Sequence, residues 1–250
     1  MKTHFEHETI KTVAIVTESS RLGAADRLVT LFTPGFGRLK AVARGARKPG
    51  SRYSSGVLPV SHIEVQLVRG RSELFSISGY CPIDDYCDLK MIPAIISKIL
   101  PLFSIVNSVA VGRGQSESEF ELLLELLSLF RKGGNTDNIR TYFIFRFFSL
   151  LGVGLNTESC IGCGKVYSSG PLKVLPSEGV ICSRCAIGRK NLVSLKQGDL
   201  AAVSGMLRGM VPDGNYLAPE IQRLAAAHLR ENIRPEDEDI YMRVIPAEAI

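Results

Sequence analysis

The chain has 250 residues and a mass of 27.3 kDa, with 45% hydrophobic and 22% charged residues. This composition excludes an intrinsically disordered chain, and the length allows one large or two modest folded domains. Residues 1–80 hold 12 basic and 6 acidic residues, a net charge of +6, whereas residues 81–250 hold 18 and 19, a net charge of −1. Because the basic excess belongs to the first third, we expect that third to bind an anionic partner.

Neither a secretory signal nor a membrane span is expected. The N-terminal segment MKTHFEHETIK is charged and has no apolar run. The most apolar stretch, Ile92–Val111, contains Lys98 and two prolines, which favours a buried or kinked helix over a membrane span. The sequence therefore predicts a cytoplasmic protein whose cysteines are reduced.

Short runs with alternating apolar residues, separated by turn residues, fill the first 80 positions and predict β-strands. These runs are Thr12–Thr17, Arg27–Thr33, Arg38–Ala43, His62–Arg69 and Glu73–Ser78. Five short strands in about 70 residues are typical of a small closed barrel of the OB type. We expect an OB-fold nucleic-acid-binding domain at residues 1–80.

After Pro82 the apolar spacing becomes helical, so the fold class is α+β, with a helical domain at residues 81–250. One or two helices over Asp84–Val111 should be interrupted by Pro93 and Pro101. Ser116 and Glu119 form a capping-box pattern ahead of the next helix. Further helices are predicted at 139–151 (the centre of the bundle), 194–209 and 217–233, followed by a solvated acidic end at 236–239.

Four cysteines are spaced as in a four-thiolate metal site: Cys160, Cys163, Cys182 and Cys185. The pattern predicts a zinc module at residues 157–190. An iron–sulfur cluster is the main alternative, and a redox dithiol or disulfides explain two matched pairs less well. Four protein ligands leave no open position for water, so the Zn²⁺ should be structural.

No catalytic residues are predicted. Cys81 and Cys87 have no second pair and are expected to be ordinary buried residues. The four histidines are scattered and suggest no triad, and the Gly-x-Gly pairs do not continue into a phosphate loop.

Basic residues without nearby acids are concentrated between residues 38 and 52, and others flank this segment. Their loop and strand context favours contact with a nucleic-acid backbone over a merely solvated face. Among the aromatic residues, Phe36 and Tyr53 are candidates for base stacking, whereas Phe32 and Phe75 are expected in the core. The predicted DNA-binding residues are Arg27, Arg38, Lys40, Arg44, Arg47, Lys48, Arg52, Arg69 and Arg71.

Several segments resemble the bacterial RecO family of recombination and repair mediators. They are Ala25–Leu31 (ADRLVTL), Gly37–Arg47 (GRLKAVARGAR), Leu58-Pro59, and the Cys-x-x-Cys-Gly followed by a second Cys-x-x-Cys. The chain has Arg38 where family members often have Lys, and Gly152–Asn156 where they often have a proline. Some members lack the cysteines, which implies that the metal supports structure and not the shared activity.

The resemblance implies an OB fold, a helical domain and a zinc module. It also implies binding of single- and double-stranded DNA, annealing of complementary strands, and a non-enzymatic role in DNA damage repair and recombination in the cytoplasm, at the nucleoid. The implied partners are RecR, the single-stranded-DNA-binding protein SSB and, indirectly, RecA, which is loaded onto SSB-coated DNA.

Two other functional hypotheses remain at this stage. The first is a zinc-ribbon RNA-binding protein of translation or transcription. The second is a zinc-dependent nuclease or nucleotide-modifying enzyme. It would need an open metal position or convergent carboxylates near the basic segment, and Asp26 is the only acid between Arg21 and His62.

Overall fold

The fold is described from a computed structural model, in which residues 9–53, 56–69, 74–109, 114–166, 172–212 and 217–245 are described. By internal contacts the chain divides into two compact units, Met1–Leu127 and Ser128–Ile250. The first unit therefore includes helices as well as the barrel. The domain limit at residue 80 stays a prediction.

The first unit is built on five strands, as the sequence predicts. They are β1 Thr9–Leu22, β2 Asp26–Thr33, β3 Gly37–Ala43, β4 Ser61–Arg69 and β5 Phe75–Asp84. Their order is β1-β2-β3-β5-β4, and β4 pairs again with β1, which closes the sheet into a barrel. Among the described barrel strands, β3 pairs with β5 in parallel and the other pairings are antiparallel. The five-stranded closed barrel matches the predicted OB type.

Alternation along each strand explains the barrel core, because successive side chains point to opposite faces. On β3, Ala41 and Ala43 are buried in the barrel and Leu39 packs against them, whereas Lys40 on the opposite face is exposed. β1 serves two neighbours: its first half pairs with β4 and its second half with β2. A register shift between Val16 and Glu18 lies near the change of partner.

Helices α1 Cys87–Lys90, α2 Pro93–Val109 and α3 Glu117–Arg131 follow the barrel. Pro93 begins α2, where its missing N–H costs nothing. The interruption predicted at Pro101 is wrong, because this proline is buried inside a continuous helix. The predicted capping box is also not formed: α3 begins after Ser116, but the buried Ser116 Oγ has no hydrogen-bond partner among the described residues.

The second unit is centred on α4 Thr136–Leu150, which is buried on nearly every side, as predicted. Helices α5 Gln197–Leu207 and α6 Pro219–Asn232 pack against it. A small sheet of order β7-β6-β8 belongs to the same unit; its strands are β6 Leu172–Leu175, β7 Gly179–Ile181 and β8 Val193–Leu195. The sequence missed all three strands. β8 occupies the start of the helix predicted at 194–209.

The acidic run near the C-terminus is not a plain solvated end. Pro235–Asp237 forms a 3-10 turn, and α7 Glu238–Val244 follows it. Acidic residues at 236–239 therefore lie at the start of a helix, where the exposed N–H groups favour negative charge.

Candidate nucleic-acid interface and metal centre

A group of cations surrounds the tip of the β1–β2 hairpin at one end of the barrel, which we call the barrel-end cluster. It consists of Arg21, Arg27, Arg44, Arg47 and Lys48. Arg27 is partly buried and the other four are exposed. Asp26 is the only acidic residue between Arg21 and His62, so the cluster carries a clear excess of positive charge.

Two hydrogen bonds and a glycine fold the turn after β3 back onto this hairpin. The N–H of Gly45 donates to Asp26 Oδ1 (2.8 Å), and the N–H of Arg47 donates to Ala25 O (2.8 Å). Gly45 has a φ of 70°, a backbone conformation that residues with a Cβ rarely adopt. The guanidinium of Arg47 also donates to Gly23 O (3.1 Å). The turn and the hairpin therefore present their cations together.

Arg21 and Arg27 are direct cross-strand partners in the β1–β2 hairpin. Opposite residues in an antiparallel pair share a face, and like charges in such a pair destabilise the sheet. Arg27 donates to Ser19 Oγ (3.3 Å), which holds the side chain without neutralising it. Sequence reasoning missed Arg21, because the pairing register that places it opposite Arg27 cannot be read from either strand alone.

Arg38 and Arg52 have partners inside the protein. Arg38, on the outer face of β3, donates to the carbonyl of Asn107 in the last turn of α2, where helical carbonyls lack partners. Arg52 donates to Tyr53 Oη (2.9 Å) and Ile77 O (3.3 Å). Both arginines therefore stabilise the unit, whatever else they bind.

Lys40 and Arg69 lie away from the barrel-end cluster in the strand register. Lys40 is exposed on the outer face of β3, opposite Thr30. Arg69 ends β4 opposite Phe75, with its guanidinium 5.9 Å from the centre of that ring. Arg71 lies outside the described residues. Of the nine predicted DNA-binding residues, four therefore meet at the hairpin tip, and Arg21 joins them.

Tyr53 is not available for base stacking, contrary to the sequence prediction. It is 1% exposed and lies in the barrel core, and its hydroxyl donates to Ile77 O (3.2 Å). The guanidinium of Arg52 covers its ring at 4.9 Å. Phe36 is exposed in the β2–β3 turn, whereas Phe32 and Phe75 are buried as expected.

The four predicted metal ligands come together. Their sulfur atoms all lie within 4.8 Å of one another, and those of Cys163 and Cys182 are 3.9 Å apart. Tetrahedral zinc with Zn–S bonds of about 2.3 Å places sulfurs at about 3.8 Å, so the arrangement suits such an ion. Cys160 Sγ accepts hydrogen bonds from the N–H groups of Cys182 (3.3 Å) and Gly162 (3.4 Å).

The pKa values of the cysteine thiols indicate how much negative charge a metal ion would have to balance. The N–H of Cys182, with smaller contributions from other donors, lowers the pKa of Cys160 to about 6. Contact first with Cys182 and then with Cys163 raises the pKa of Cys185 to about 12. Four thiolates this close repel one another, so all four ionise together only around a cation. The donor set therefore fits a divalent metal.

The other two cysteines are exposed, so the prediction that Cys81 and Cys87 are buried is wrong. Cys81 is on β5 and Cys87 begins α1. His228, in contrast, is fully buried against Phe145 and Phe148, and its Nδ1–H donates to Pro176 O (2.6 Å). Burial lowers the pKa of His228.

Comparison with known proteins agrees with this architecture. The family model described as Recombination protein O N terminal matches residues 7–86, and Recombination protein O C terminal matches residues 104–234. The chain belongs to the RecO family. The first match spans the barrel, and the second includes the four cysteines.

Similar proteins support this membership of the RecO family. The DNA repair protein RecO of Symbiobacterium thermophilum is 28% identical, over 82% of this chain and 85% of its own. The proteins of the same name from Heliobacterium modesticaldum and Pelotomaculum thermopropionicum are 28% and 30% identical. They cover 90% and 79% of this chain, and 84% and 76% of their own. The RecO family is thus one of DNA repair and recombination. Among the described residues, no helix is long and apolar enough to cross a membrane.

Proposed function

We propose that this chain is a DNA-binding recombination mediator whose barrel-end cluster contacts the phosphate backbone. The observation that carries the proposal is the Arg21–Arg27 pair together with the turn that adds Arg44, Arg47 and Lys48. Such a concentration of like charge is unfavourable in the free protein and becomes favourable when a polyanion neutralises it. The remaining predicted residues stay candidates for further DNA contacts outside this cluster: Arg38, Lys40, Arg52, Arg69 and Arg71.

The cluster has no recognition helix, so it should bind DNA with little dependence on sequence. Charge neutralisation acts on any phosphate backbone, and we therefore expect both single- and double-stranded DNA to bind. Bringing two complementary strands together requires their mutual repulsion to be reduced. Strand annealing would follow from the same neutralisation, without any covalent chemistry.

The finer role rests on membership of the RecO family. We propose that the chain acts with RecR on DNA coated by SSB, and so helps to load RecA, in the cytoplasm where the nucleoid lies. The test is RecA-dependent ATP hydrolysis on SSB-coated single strands, with and without this chain and RecR. Stimulation should require both proteins, and no stimulation by the pair would refute this role.

The structural part of the proposal concerns the metal. We propose that one Zn²⁺ is held by Cys160, Cys163, Cys182 and Cys185 and stabilises the zinc module. Elemental analysis of the purified chain distinguishes zinc from iron. Recovery of about one iron and one sulfide for each pair of cysteines, in place of one zinc per chain, would favour an iron–sulfur cluster.

The DNA-binding test uses two triple variants that remove the same charge. One changes the exposed cations of the turn; the matched control changes three exposed cations elsewhere. The turn variant is Arg44→Ala/Arg47→Ala/Lys48→Ala, and the control is Lys98→Ala/Lys132→Ala/Arg223→Ala. Binding to a labelled 30-nucleotide single strand is measured by fluorescence anisotropy as salt is varied.

Four to six phosphate contacts predict a slope of log affinity against log salt of roughly −3 to −4 for single strands. The turn variant should lose about two units of that slope, at about 0.7 per contact, and the control much less. Annealing should fall together with binding. An unchanged slope in the turn variant would mean that the cluster is only a solvated face.

Two further experiments test the RNA-binding and the enzyme hypotheses. Competition between unlabelled single-stranded DNA and RNA of the same length tests the RNA-binding alternative, which predicts tighter binding to RNA. Incubation of labelled DNA with the zinc-loaded protein tests for a nuclease, and the proposal expects the DNA to stay intact.

A further inference from the structure

The zinc module carries a second group of cations, on the two turns that hold the cysteines. Lys165 follows the first cysteine pair, Arg184 lies within the second pair, and Arg189 and Lys190 follow it; all four are exposed. Within the described ranges, none of the four has an ion-pair or hydrogen-bond partner for its side chain.

Backbone hydrogen bonds order the two turns that carry these cations. The N–H of Cys160 donates to Lys165 O (2.9 Å), and the N–H of Ala186 donates to Cys182 O (2.9 Å). A further bond joins the N–H of Arg189 to Ala186 O (3.1 Å). Cations on preorganised turns lose less entropy on binding than cations on a flexible tail.

Each turn also exposes a large aliphatic side chain beside its cations. Val166 is 79% exposed and directly follows Lys165, and Ile187 is 82% exposed between Arg184 and Arg189. Aliphatic side chains this exposed gain free energy when a partner covers them. A partner that offers apolar surface and negative charge side by side would match both turns.

The four thiolates, together with their metal ion, would neutralise part of this charge. A zinc ion with four thiolates has a net charge of −2, so two of the four cations can be regarded as balancing it. About two positive charges then remain unbalanced. Balancing the metal centre also does not explain why Val166 and Ile187 are exposed beside the cations. The surface therefore fits an unpaired nucleic-acid strand, whose phosphates and accessible base faces alternate. A duplex keeps its base faces stacked inside.

We propose that Lys165, Val166, Arg184, Ile187, Arg189 and Lys190 form a binding surface for single-stranded DNA, separate from the barrel-end cluster. This inference rests on the proposed function, because it takes DNA as the polyanion. A chain with two such surfaces can hold one strand on each, which would bring two strands together during annealing.

The first test uses the full-length, zinc-loaded protein and the variant Lys165→Ala/Arg184→Ala/Arg189→Ala. The variant Lys98→Ala/Lys132→Ala/Arg223→Ala removes equal charge and is the control. Binding to a 30-nucleotide dT strand should weaken at least about tenfold in the module variant. The slope should fall by about 1.4 units, because about two charges remain after the metal centre is balanced and each contact counts about 0.7. Zinc content should stay at one per chain. Unchanged binding in a zinc-containing variant would overturn the proposal.

The variant Ile187→Thr tests the base contact without changing charge. It should weaken binding to the dT strand about threefold and leave binding to a duplex of equal length unchanged. Equal loss for both DNAs, or no loss for either, would contradict contact with base faces and would favour duplex binding or a charge-balancing role.

Hydrogen exchange of the wild-type protein decides the case even where a variant loses its metal. Binding of the dT strand should slow amide exchange at residues 160–166 and 182–190 as well as at the barrel-end cluster. Protection at the barrel alone would overturn this inference and leave the proposed function intact. Protection at the zinc module alone would support this inference and would refute DNA contact at the barrel-end cluster.

Discussion

The Arg21–Arg27 pair provides the sharpest prediction, because one substitution should raise stability and lower DNA affinity. Arg21→Gln keeps a long polar side chain on β1 and removes one of two opposed charges. At a separation of about 7 Å in a water-like dielectric, two unit charges repel by about 0.6 kcal/mol. Salt at 0.15 M, with a Debye length of about 8 Å, reduces this to about 0.3 kcal/mol.

The same substitution removes one phosphate contact. At about 0.7 units of slope per contact, binding to a single strand at 0.1 M salt should weaken about fivefold. Urea unfolding at 20 mM and at 1 M salt measures the stability, and fluorescence anisotropy measures the affinity. The gain in unfolding free energy should be about 0.5 kcal/mol at low salt and near zero at 1 M.

Two further variants complete the experiment. Arg27→Gln should give a similar gain, and the double variant should gain less than the sum, because the repulsion can be removed only once. Arg243→Gln is the control, since Arg243 on α7 pairs with Asp239 at 2.9 Å. It should show neither the gain in stability nor the loss of DNA affinity. A loss of stability in Arg21→Gln, or unchanged DNA affinity, would refute the reasoning.

Three other predictions concern the core and the metal. Cys163→Ser should release zinc and lower the melting temperature, as measured by elemental analysis and calorimetry, since a ligand and its folding energy are lost; full zinc retention would contradict the site. Tyr53→Phe should reduce the unfolding free energy by about 1 kcal/mol in urea titrations and leave DNA affinity unchanged, because its hydroxyl bonds Ile77 O; weaker DNA binding would reopen a stacking role. The lowered pKa of His228 means that the unfolded chain takes up the proton first. The contribution of His228 to the unfolding free energy should therefore be present above pH 6.5 and be lost as the pH falls, by at most about 1.4 kcal/mol per pH unit. This pH dependence, measured by urea unfolding, should be weaker in His228→Gln. Equal pH dependence in the two proteins would exclude His228 as its source.

The barrel could be predicted from the sequence because each of its strands buries one face. Leu39, Ala41 and Ala43 alternate with polar or exposed positions, and that alternation is a local property of the chain. The cysteine spacing is local in the same way, and the sulfur atoms do meet. The helix α7 was missed although Pro235 and the following acids are typical of a helix start.

The errors arise where a residue's environment comes from a distant part of the chain. The sequence around Tyr53 predicts a loop residue, but Tyr53 lies in the barrel core and its hydroxyl donates to Ile77 O. Arg38 reads as a free cation, but it binds a carbonyl that is 69 residues away. Residue type alone predicts that Cys81 and Cys87 are buried, but both are exposed. Sequence periodicity shows which face of an element is buried, not what lies on that face.

Internal hydrogen bonds do not disqualify an arginine from binding phosphate. A carbonyl is a neutral acceptor, and a guanidinium has five donors, so Arg47 can bond Gly23 O and still present its charge and further donors outward. Only an anionic partner cancels the charge, and Asp26 is the only acidic residue in this part of the sequence. Its Oδ1 accepts the N–H of Gly45 and so orders the turn. The same interactions that shape the barrel-end cluster therefore leave it with the excess positive charge that a polyanion requires.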